Sequence, residues 1–213
     1  MNRAVRWGVV ALFFAVAIHT REVADTSIET WWFDKDHLGR VAVGWVEVTG
    51  TWQVVADPTA PSTRNVFAQV SKEHSGSYFN VAIANELSLK EVVISVQLRA
   101  IAGQEDQGGG PVWRYQDIKN YYVARHNPLE DNYRVYKVVD GRRIQLGSAD
   151  LKASRADWHD LTITMTGDLI RCFFDVKKYL EVKDGTFQEA GKVGLWTKAD
   201  AQTHFNNFRV EGK

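Results

Sequence analysis

The chain has 213 residues, of which 45% are hydrophobic and 24% are charged, a composition typical of one globular domain. Its 26 basic residues balance its 26 acidic residues, so the net charge predicts neither a nucleic-acid partner nor a strongly charged protein partner. The single cysteine excludes an intramolecular disulfide and a cysteine-rich zinc site.

The N-terminus has the pattern of a targeting segment. Arg3 and Arg6 precede an apolar run from Trp7 to Ile18, and Ala15-Val16-Ala17 matches a small-residue cleavage site. The run is shorter than the roughly 20 residues that cross a bilayer. We therefore predict a signal peptide over residues 1–17 and one secreted or periplasmic domain over residues 18–213, without membrane contact after cleavage. The alternative is an uncleaved membrane anchor.

Short β-strands are predicted along the rest of the chain. The segment EVVISVQLRA alternates apolar and polar residues, which predicts a strand with Val92, Ile94, Val96 and Leu98 on one face. The segment ANELSLKEV is compatible with one short helical turn, and no longer helix is predicted after the signal segment.

Two hairpins follow. Asp140-Gly141 interrupts NYRVYKVVDGRRIQL, and Gly167-Asp168 interrupts DLTITMTGDLIRCFFDV; both dipeptides favour two-residue turns between antiparallel strands. On the last arm, alternation predicts that Cys172 and Val176 share the buried face, and Cys172 is interpreted as a small buried hydrophobe.

The segments GKVGLWTKAD and THFNNFRVEG predict two late strands. The length accommodates about 14 short strands, a pattern typical of an all-β sandwich or barrel.

Three consecutive glycines, Gly108 to Gly110, precede an aromatic-rich stretch. A phosphate-binding loop would need a lysine motif and a following helix, and the sequence has neither. The glycines therefore predict a turn before a strand, where glycine permits positive φ and close approach of another backbone.

Motifs for catalysis are sparse. The sequence contains no G-x-S-x-G motif and no histidine pair at metal-ligand spacing. Glycoside cleavage generally needs two carboxylates, and the adjacent pairs Glu105-Asp106 and Glu130-Asp131 lie in predicted loops. Solvated loop charges are the simpler interpretation of both pairs.

The sequence predicts no cofactor and no metal site. The alternative is a calcium ion bound by Asp200, Asn206 and Asn207, because calcium takes carboxylate and amide oxygens as ligands in the loops of β-sandwiches.

The order of several motifs resembles the concanavalin A-like lectin/glucanase superfamily. They are GGGPVWRYQDIKNYYVAR, DNYRVYKVVDG, WHDLTI, GDLIRCFFD and GKVGLWTKADAQTHFNNFRV. Within the superfamily, the chain resembles secreted bacterial 3-keto-disaccharide hydrolase-like domains and family 66 carbohydrate-binding modules, from about Thr51 to Val210.

This resemblance implies a jelly roll of two curved antiparallel sheets with ligands on the concave face. The E-x-D-x-x-E strand of the family 16 glucanases is absent. The closing Phe205-Asn206-Asn207 also departs from the F-D-D of relatives, which argues against a calcium carried over from them.

Strand alternation selects a candidate ligand surface. An arginine buried without a partner is costly, so Arg114 and Arg125 are expected to point outward, and Tyr121 shares that face. Lys137 or Tyr136 on the next strand would extend it. An arginine fork and a tyrosine ring suit a sugar or uronate; the alternative is a convex face on which these side chains only cover the sheet.

We therefore predict a secreted jelly-roll domain that binds carbohydrate through Arg114, Tyr121, Arg125 and Lys137. The second hypothesis is a glycoside hydrolase of the 3-keto-disaccharide hydrolase-like type, with an acidic residue on the same face. The third is a non-catalytic structural or interaction module of the cell envelope. The sequence does not decide whether the protein is an enzyme.

Overall fold

The computed structural model describes residues 27–62 and 64–212; the predicted signal segment lies outside them. The described residues form β-strands joined by turns and loops, and none is helical. No helix within these ranges could cross a membrane. The strands, in chain order, are β1 Ser27–Trp31, β2 Trp45–Thr49, β3 Trp52–Ala56, β4 Asn65–Gln69, β5 Phe79–Leu89, β6 Val92–Ala102, β7 Gly110–Asp117, β8 Asn120–Asn127, β9 Asn132–Val139, β10 Arg142–Asp150, β11 His159–Thr166, β12 Leu169–Phe174, β13 Lys177–Lys183, β14 Gly191–Lys198 and β15 Gln202–Gly212.

The strands form two antiparallel sheets that pack as a sandwich, which confirms the predicted fold class. One sheet has eight strands, in the order β13-β12-β11-β6-β15-β4-β3, with β1 paired to β15. The other sheet has seven strands, in the order β10-β9-β8-β7-β14-β5-β2. The seven-stranded sheet combines a run of consecutive hairpins, β7 to β10, with the distant strands β14, β5 and β2.

The predicted hairpins are confirmed. Asp140-Gly141 joins β9 to β10, and both residues have positive φ, 51° and 78°, as a two-residue turn between twisted strands requires. Gly167-Asp168 joins β11 to β12. Both late strands are present as β14 and β15.

Two local predictions are wrong. The segment ANELSLKEV forms no helical turn, because its first part continues β5, which pairs with β2 and β14. Val176 is 94% exposed, because β12 ends at Phe174 and a turn with positive φ at Asp175 and Val176 breaks the alternation.

The main core lies between the sheets. Val92, Ile94, Val96 and Leu98 of β6 are buried in it, as predicted, and so is Cys172. The eight-stranded sheet contributes these side chains, and the seven-stranded sheet contributes others such as Trp113, Tyr122 and Leu195. Burial of this much apolar surface, at roughly 25 cal/mol per Å², is what stabilises a domain without a disulfide.

Candidate functional site

A second apolar cluster lies on the opposite face of the seven-stranded sheet. It is built only from strands of that sheet, and its members alternate with the residues that face the main core. We call this surface the aromatic face; its buried residues are Val81, Ile83, Val112, Tyr121, Val123, Tyr136, Val138 and Trp196.

The aromatic face is concave. Arg143 of β10 lies 4.4 Å from the ring centroid of Tyr136 on β9, 5.8 Å from that of Trp196 on β14 and 5.7 Å from that of Phe79 on β5. In a flat sheet, β10 and β5 would be about 24 Å apart, since they are five strand positions apart at about 4.8 Å each. The sheet must therefore curl, because otherwise Arg143 on β10 could not reach Phe79 on β5.

Tyr121 and Trp196 form the floor of this concavity. Trp196 Nε1 donates to the Tyr121 hydroxyl at 3.3 Å, and Tyr115 stacks on Tyr121 with centroids 5.7 Å apart. Both floor residues are fully buried, and burial raises the pKa of Tyr121 above its ordinary value. They hold the shape of the surface, while half-exposed Phe79, Tyr115 and Arg143 present it to solvent.

A charged cluster closes one end of the aromatic face, centred on Arg125. The Arg125 guanidinium donates to Asp106 at 3.0 Å, to Glu130 at 2.8 Å and to Asn132 at 3.0 Å. Lys198 lies 3.1 Å from Asp106, and Arg134 pairs with Glu130 at 2.9 Å. We call these charged residues, Asp106, Arg125, Glu130, Arg134 and Lys198, the Arg125 cluster.

The two carboxylates of the cluster differ in their proton affinity. Burial raises the pKa of Asp106, and the charges of Arg125 and Lys198 only partly oppose it. Burial also acts to raise the pKa of Glu130, but the hydrogen bond from Asn132 and the charge of Arg125 outweigh it and hold that pKa at about 2. Glu130 therefore keeps its negative charge to lower pH than an ordinary glutamate, whereas Asp106 takes up a proton more readily than an ordinary aspartate.

The glycine-rich turn places Asp106 in this cluster. Gly108 has φ 72°, and Gly109 pairs with His126 of β8 through two backbone hydrogen bonds of 3.0 Å. A Cβ at Gly109 would overlap the Trp196 carbonyl oxygen, and one at Gly110 the Ala124 carbonyl oxygen. The predicted roles of these glycines, positive φ and close backbone approach, are confirmed.

Asp200 fixes the loop that carries Asp106. Its carboxylate accepts backbone N–H groups from Gln104, Glu105 and Asp106 at 2.6 to 3.2 Å. Burial acts to raise the Asp200 pKa, but these three hydrogen bonds lower it. This loop is therefore anchored at one side chain just before β7.

Two of the four predicted site residues lie on the aromatic face. Tyr121, Val123 and Arg125 share one side of β8, as alternation predicts, and Tyr136 lies on the same side of β9. However, the side chains of Arg125 and Tyr121 are almost completely buried. Arg125 is satisfied by two carboxylates, so the premise that it must be exposed was wrong.

Arg114 does not share this face. It has φ 45°, and the pairing of β7 with β8 is interrupted between Trp113 and Asp117. This bulge turns the side chain to one end of the sandwich, where it is buried and donates to the carbonyl oxygens of Lys90, Phe187 and Gly167 at 2.6 to 2.9 Å. The predicted common face is therefore wrong for Arg114.

The predicted common face is also wrong for Lys137. Its neighbours Tyr136 and Val138 belong to the aromatic face, so Lys137 points to the other side of β9. There its Nζ donates to Asp184 at 2.7 Å and to Thr186 at 2.8 Å. Of the two residues predicted to extend the surface, Tyr136 is the one that does.

Two of the three residues considered for calcium have other contacts, while Asn207 Oδ1 is buried without a partner among the described residues. Asp200 accepts the three loop N–H groups, and Asn206 Oδ1 accepts from Ser62 at 3.1 Å and from the Asn207 backbone at 2.8 Å. Within the described residues, no group of three His, Cys, Asp or Glu side chains could hold a metal ion. Calcium binding remains an untested alternative.

Sequence reasoning missed three residues of this surface. Asp106 belongs to the predicted loop pair Glu105-Asp106, and Glu130 belongs to the pair Glu130-Asp131. Both carboxylates accept hydrogen bonds from Arg125. The antiparallel pairing of β7 with β8 places both loops at the same end, a signal that the sequence contained. Arg143 follows the Asp140-Gly141 turn, but its contact with Trp196 depends on the curl of the sheet, which no local pattern encodes.

Solved structures with this fold are numerous, and several bind or process carbohydrate. The carbohydrate-binding module CBM66 from Bacillus subtilis is 18% identical, with a TM-score of 0.64 over 78% of this chain and 94% of that one. Domain 4 of AbnA, a GH43 extracellular arabinanase from Geobacillus stearothermophilus solved with arabinotriose, is 8% identical, with a TM-score of 0.58 over 86% and 90%.

The GH43 protein BlXynB from Bacillus licheniformis is 17% identical, with a TM-score of 0.60; the match spans 86% of this chain but only 39% of that enzyme. These likenesses agree with the predicted concanavalin A-like fold.

No curated protein matches the chain. The family model of the galactocerebrosidase C-terminal lectin domain matches residues 76–213. These residues include β5 to β15, and hence most of the aromatic face and the whole Arg125 cluster. The chain therefore belongs to the galactocerebrosidase C-terminal lectin domain family.

Proposed function

We propose that this protein is a carbohydrate-binding domain whose ligand lies on the aromatic face. The observation that supports it is a concave apolar surface with half-exposed Phe79, Tyr115 and Arg143, bordered by the charged Arg125 cluster. Aromatic rings pack against the C–H faces of sugars, and charged groups at the edge accept or donate hydrogen bonds to hydroxyls. Membership in a lectin-domain family points the same way.

This proposal reassigns the contact residues. Arg114 and Lys137 lie elsewhere, and Tyr121 and Arg125 are too buried to touch a ligand directly. We assign the direct contacts to the half-exposed Phe79, Tyr115 and Arg143 and the supporting roles to Tyr121 and Arg125.

The test measures binding of the protein to a panel of glycans, with tryptophan fluorescence and calorimetry as the readouts. Two matched variants are compared with the unchanged protein. Phe79→Ala removes a half-exposed ring that lies 5.3 Å from Trp196 on the aromatic face. Phe173→Ala removes a half-buried ring on the outer side of the eight-stranded sheet. We expect Phe79→Ala to weaken binding at least about tenfold and Phe173→Ala to leave it unchanged. The reverse result would place the ligand on the other sheet.

A glycoside hydrolase is the second candidate, because one observation favours it. Two carboxylates whose pKa values move in opposite directions, Asp106 and Glu130, meet at one arginine on this face, and such a difference is typical of an acid and its partner. Against it, Asp106 is fully buried and its oxygens accept from Arg125, Asn127 and Lys198. Release of reducing or keto-sugar product by the protein, lost in Glu130→Gln, would favour the enzyme.

We also propose that the protein is secreted or periplasmic, on the basis of its N-terminal sequence. Many sugar-binding domains act outside the cell, where polysaccharides are. Mass spectrometry of the mature protein checks the cleavage: we expect an N-terminus at Ile18, and a chain that keeps Met1 after export would contradict the signal peptide.

A further inference from the structure

Among the described residues, Arg143 is a cation of the aromatic face that contacts the aromatic floor and has no anionic partner. Arg125, Arg134 and Lys198 each pair with Asp106 or Glu130 at 3.1 Å or less. No carboxylate oxygen of the described residues lies within 4 Å of the Arg143 guanidinium, and its Nη1 is buried without a hydrogen bond. Both carboxylates of the neighbouring cluster are therefore committed to other cations.

In the described part of the chain, the Arg143 guanidinium packs against aromatic rings and has no ion-pair partner. Its guanidinium lies over Tyr136 at 4.4 Å and beside Phe79 and Trp196. Cation–π contacts and the weak hydration of a guanidinium make such a site tolerable. They satisfy none of its N–H groups, and a buried donor without an acceptor is unfavourable.

An anion bound on this surface would supply Arg143 with both an opposite charge and a hydrogen-bond acceptor. A carboxylate or sulfate accepts two parallel N–H bonds from one guanidinium, and these charge-assisted bonds are stronger than bonds to a neutral hydroxyl. The gain is larger in a concave, apolar surrounding than at an open surface, because the local dielectric constant is lower.

We propose that the ligand of the aromatic face is an acidic carbohydrate whose carboxylate or sulfate pairs with Arg143. This inference rests on the proposed carbohydrate-binding function, and it specifies the class of sugar. The aromatic rings around Arg143 receive the sugar ring, and the guanidinium selects its charge.

The experiment is calorimetry with three oligosaccharides of equal length: an oligouronide, a sulfated oligosaccharide and a neutral one. We expect at least one acidic ligand to bind about tenfold or more tightly than the neutral ligand at low salt. The acid that binds identifies the source of the charge. Preference for the acidic ligand should shrink as the salt concentration rises.

Two variants locate the effect. Arg143→Gln should abolish the preference for acid, measured as the ratio of the affinity for the acidic sugar to that for the neutral sugar, so that a general loss of contact at this residue, which lowers both affinities, leaves the readout unaffected. Arg142→Gln makes the same charge change at the neighbouring exposed residue, on the other side of β10, and should keep the preference. Arg143→Lys keeps the positive charge but lacks the planar fork of guanidinium N–H donors. If Arg143→Gln fails to fold, a reduced but measurable preference for acid in Arg143→Lys would still show that Arg143 selects the acidic sugar.

The outcomes separate the two proposals. Equal affinity for acidic and neutral sugars, unchanged in the Arg143 variants, would overturn the assignment to acidic sugars and leave carbohydrate binding intact. A preference lost equally in Arg142→Gln and Arg143→Gln would show a general charge effect and also overturn it. Absence of binding to every sugar in the panel would overturn both.

Discussion

The buried polar side chains of this molecule differ in how many of their polar atoms have partners; Arg125, for example, lacks a partner only at Nε. Arg114 and Arg125 are both almost fully buried, yet each has at least three acceptors supplied by loops or strand ends. A buried charge with such partners is tolerated, and breaking one partnership is costly. His126 is the contrasting case, because both its ring nitrogens are buried without a partner in the described part of the chain.

His126 should make the protein sensitive to acid. Burial lowers its pKa from 6.5 to about 3, and nearby His159 and Arg125 act in the same direction while Asp175 opposes them. Between pH 6.5 and 3 the unfolded chain binds a proton that the folded chain does not. The free energy of unfolding should therefore fall by up to about 1.4 kcal/mol per pH unit on acidification.

The change His126→Phe tests this, because phenylalanine fills the site beside Phe174 without titrating. Urea unfolding between pH 7 and 4 should show a shallower loss of stability than in the unchanged protein. His37→Phe, at an exposed histidine, is the control and should keep the original slope. An identical slope in His126→Phe would mean that groups other than His126, such as the carboxylates and His204, cause the acid sensitivity.

At the scale of the element, β7 departs most from an ideal strand. It begins at three glycines whose missing side chains let neighbouring backbones approach, and it contains a bulge at Arg114. The bulge explains why alternation correctly oriented Tyr121 and Arg125 on regular β8 but failed for Arg114. An extra residue in one strand reverses the side to which every later residue points.

Two glycine-to-alanine substitutions should distinguish the stability cost of a steric overlap with a neighbouring backbone from the cost of a positive φ. Gly110→Ala would place a methyl group against the Ala124 carbonyl oxygen in the middle of the sheet, so we expect a loss of about 3 kcal/mol or more. Gly76→Ala, at φ 65° with open space around it, should cost only about 1 kcal/mol. Denaturant unfolding measures both, and equal losses would contradict a packing role for Gly110.

At the scale of the whole molecule, β15 joins distant parts of the chain. It pairs with β1, β4 and β6 and contributes Phe205, Phe208 and Val210 to the main core. The seven-stranded sheet likewise depends on β14, which lies between β7 and β5. Both sheets are therefore completed only by the last quarter of the chain, so folding must be cooperative over long sequence separations.

Truncation tests this cooperativity. A chain that ends at Ala201 lacks β15 and should show no near-ultraviolet circular dichroism and no cooperative thermal transition. A chain that ends at Val210 keeps the core residues of β15 and should retain both, with a lower melting temperature. A cooperative transition in the shorter chain would show that the remaining strands form a stable unit.

The sequence by itself determined the all-β class, the two hairpin turns, the buried face of β6, the division of β8 into two faces, and the roles of the glycines. These features depend on residues close together in the chain, whose alternation and turn chemistry are local properties. Only the tertiary structure decided which of the predicted site residues meet. The bulge in β7, the curl that brings Arg143 onto Trp196, and the meeting of Asp106 with Glu130 arise from pairing between distant strands, and no short stretch of sequence contains that pairing.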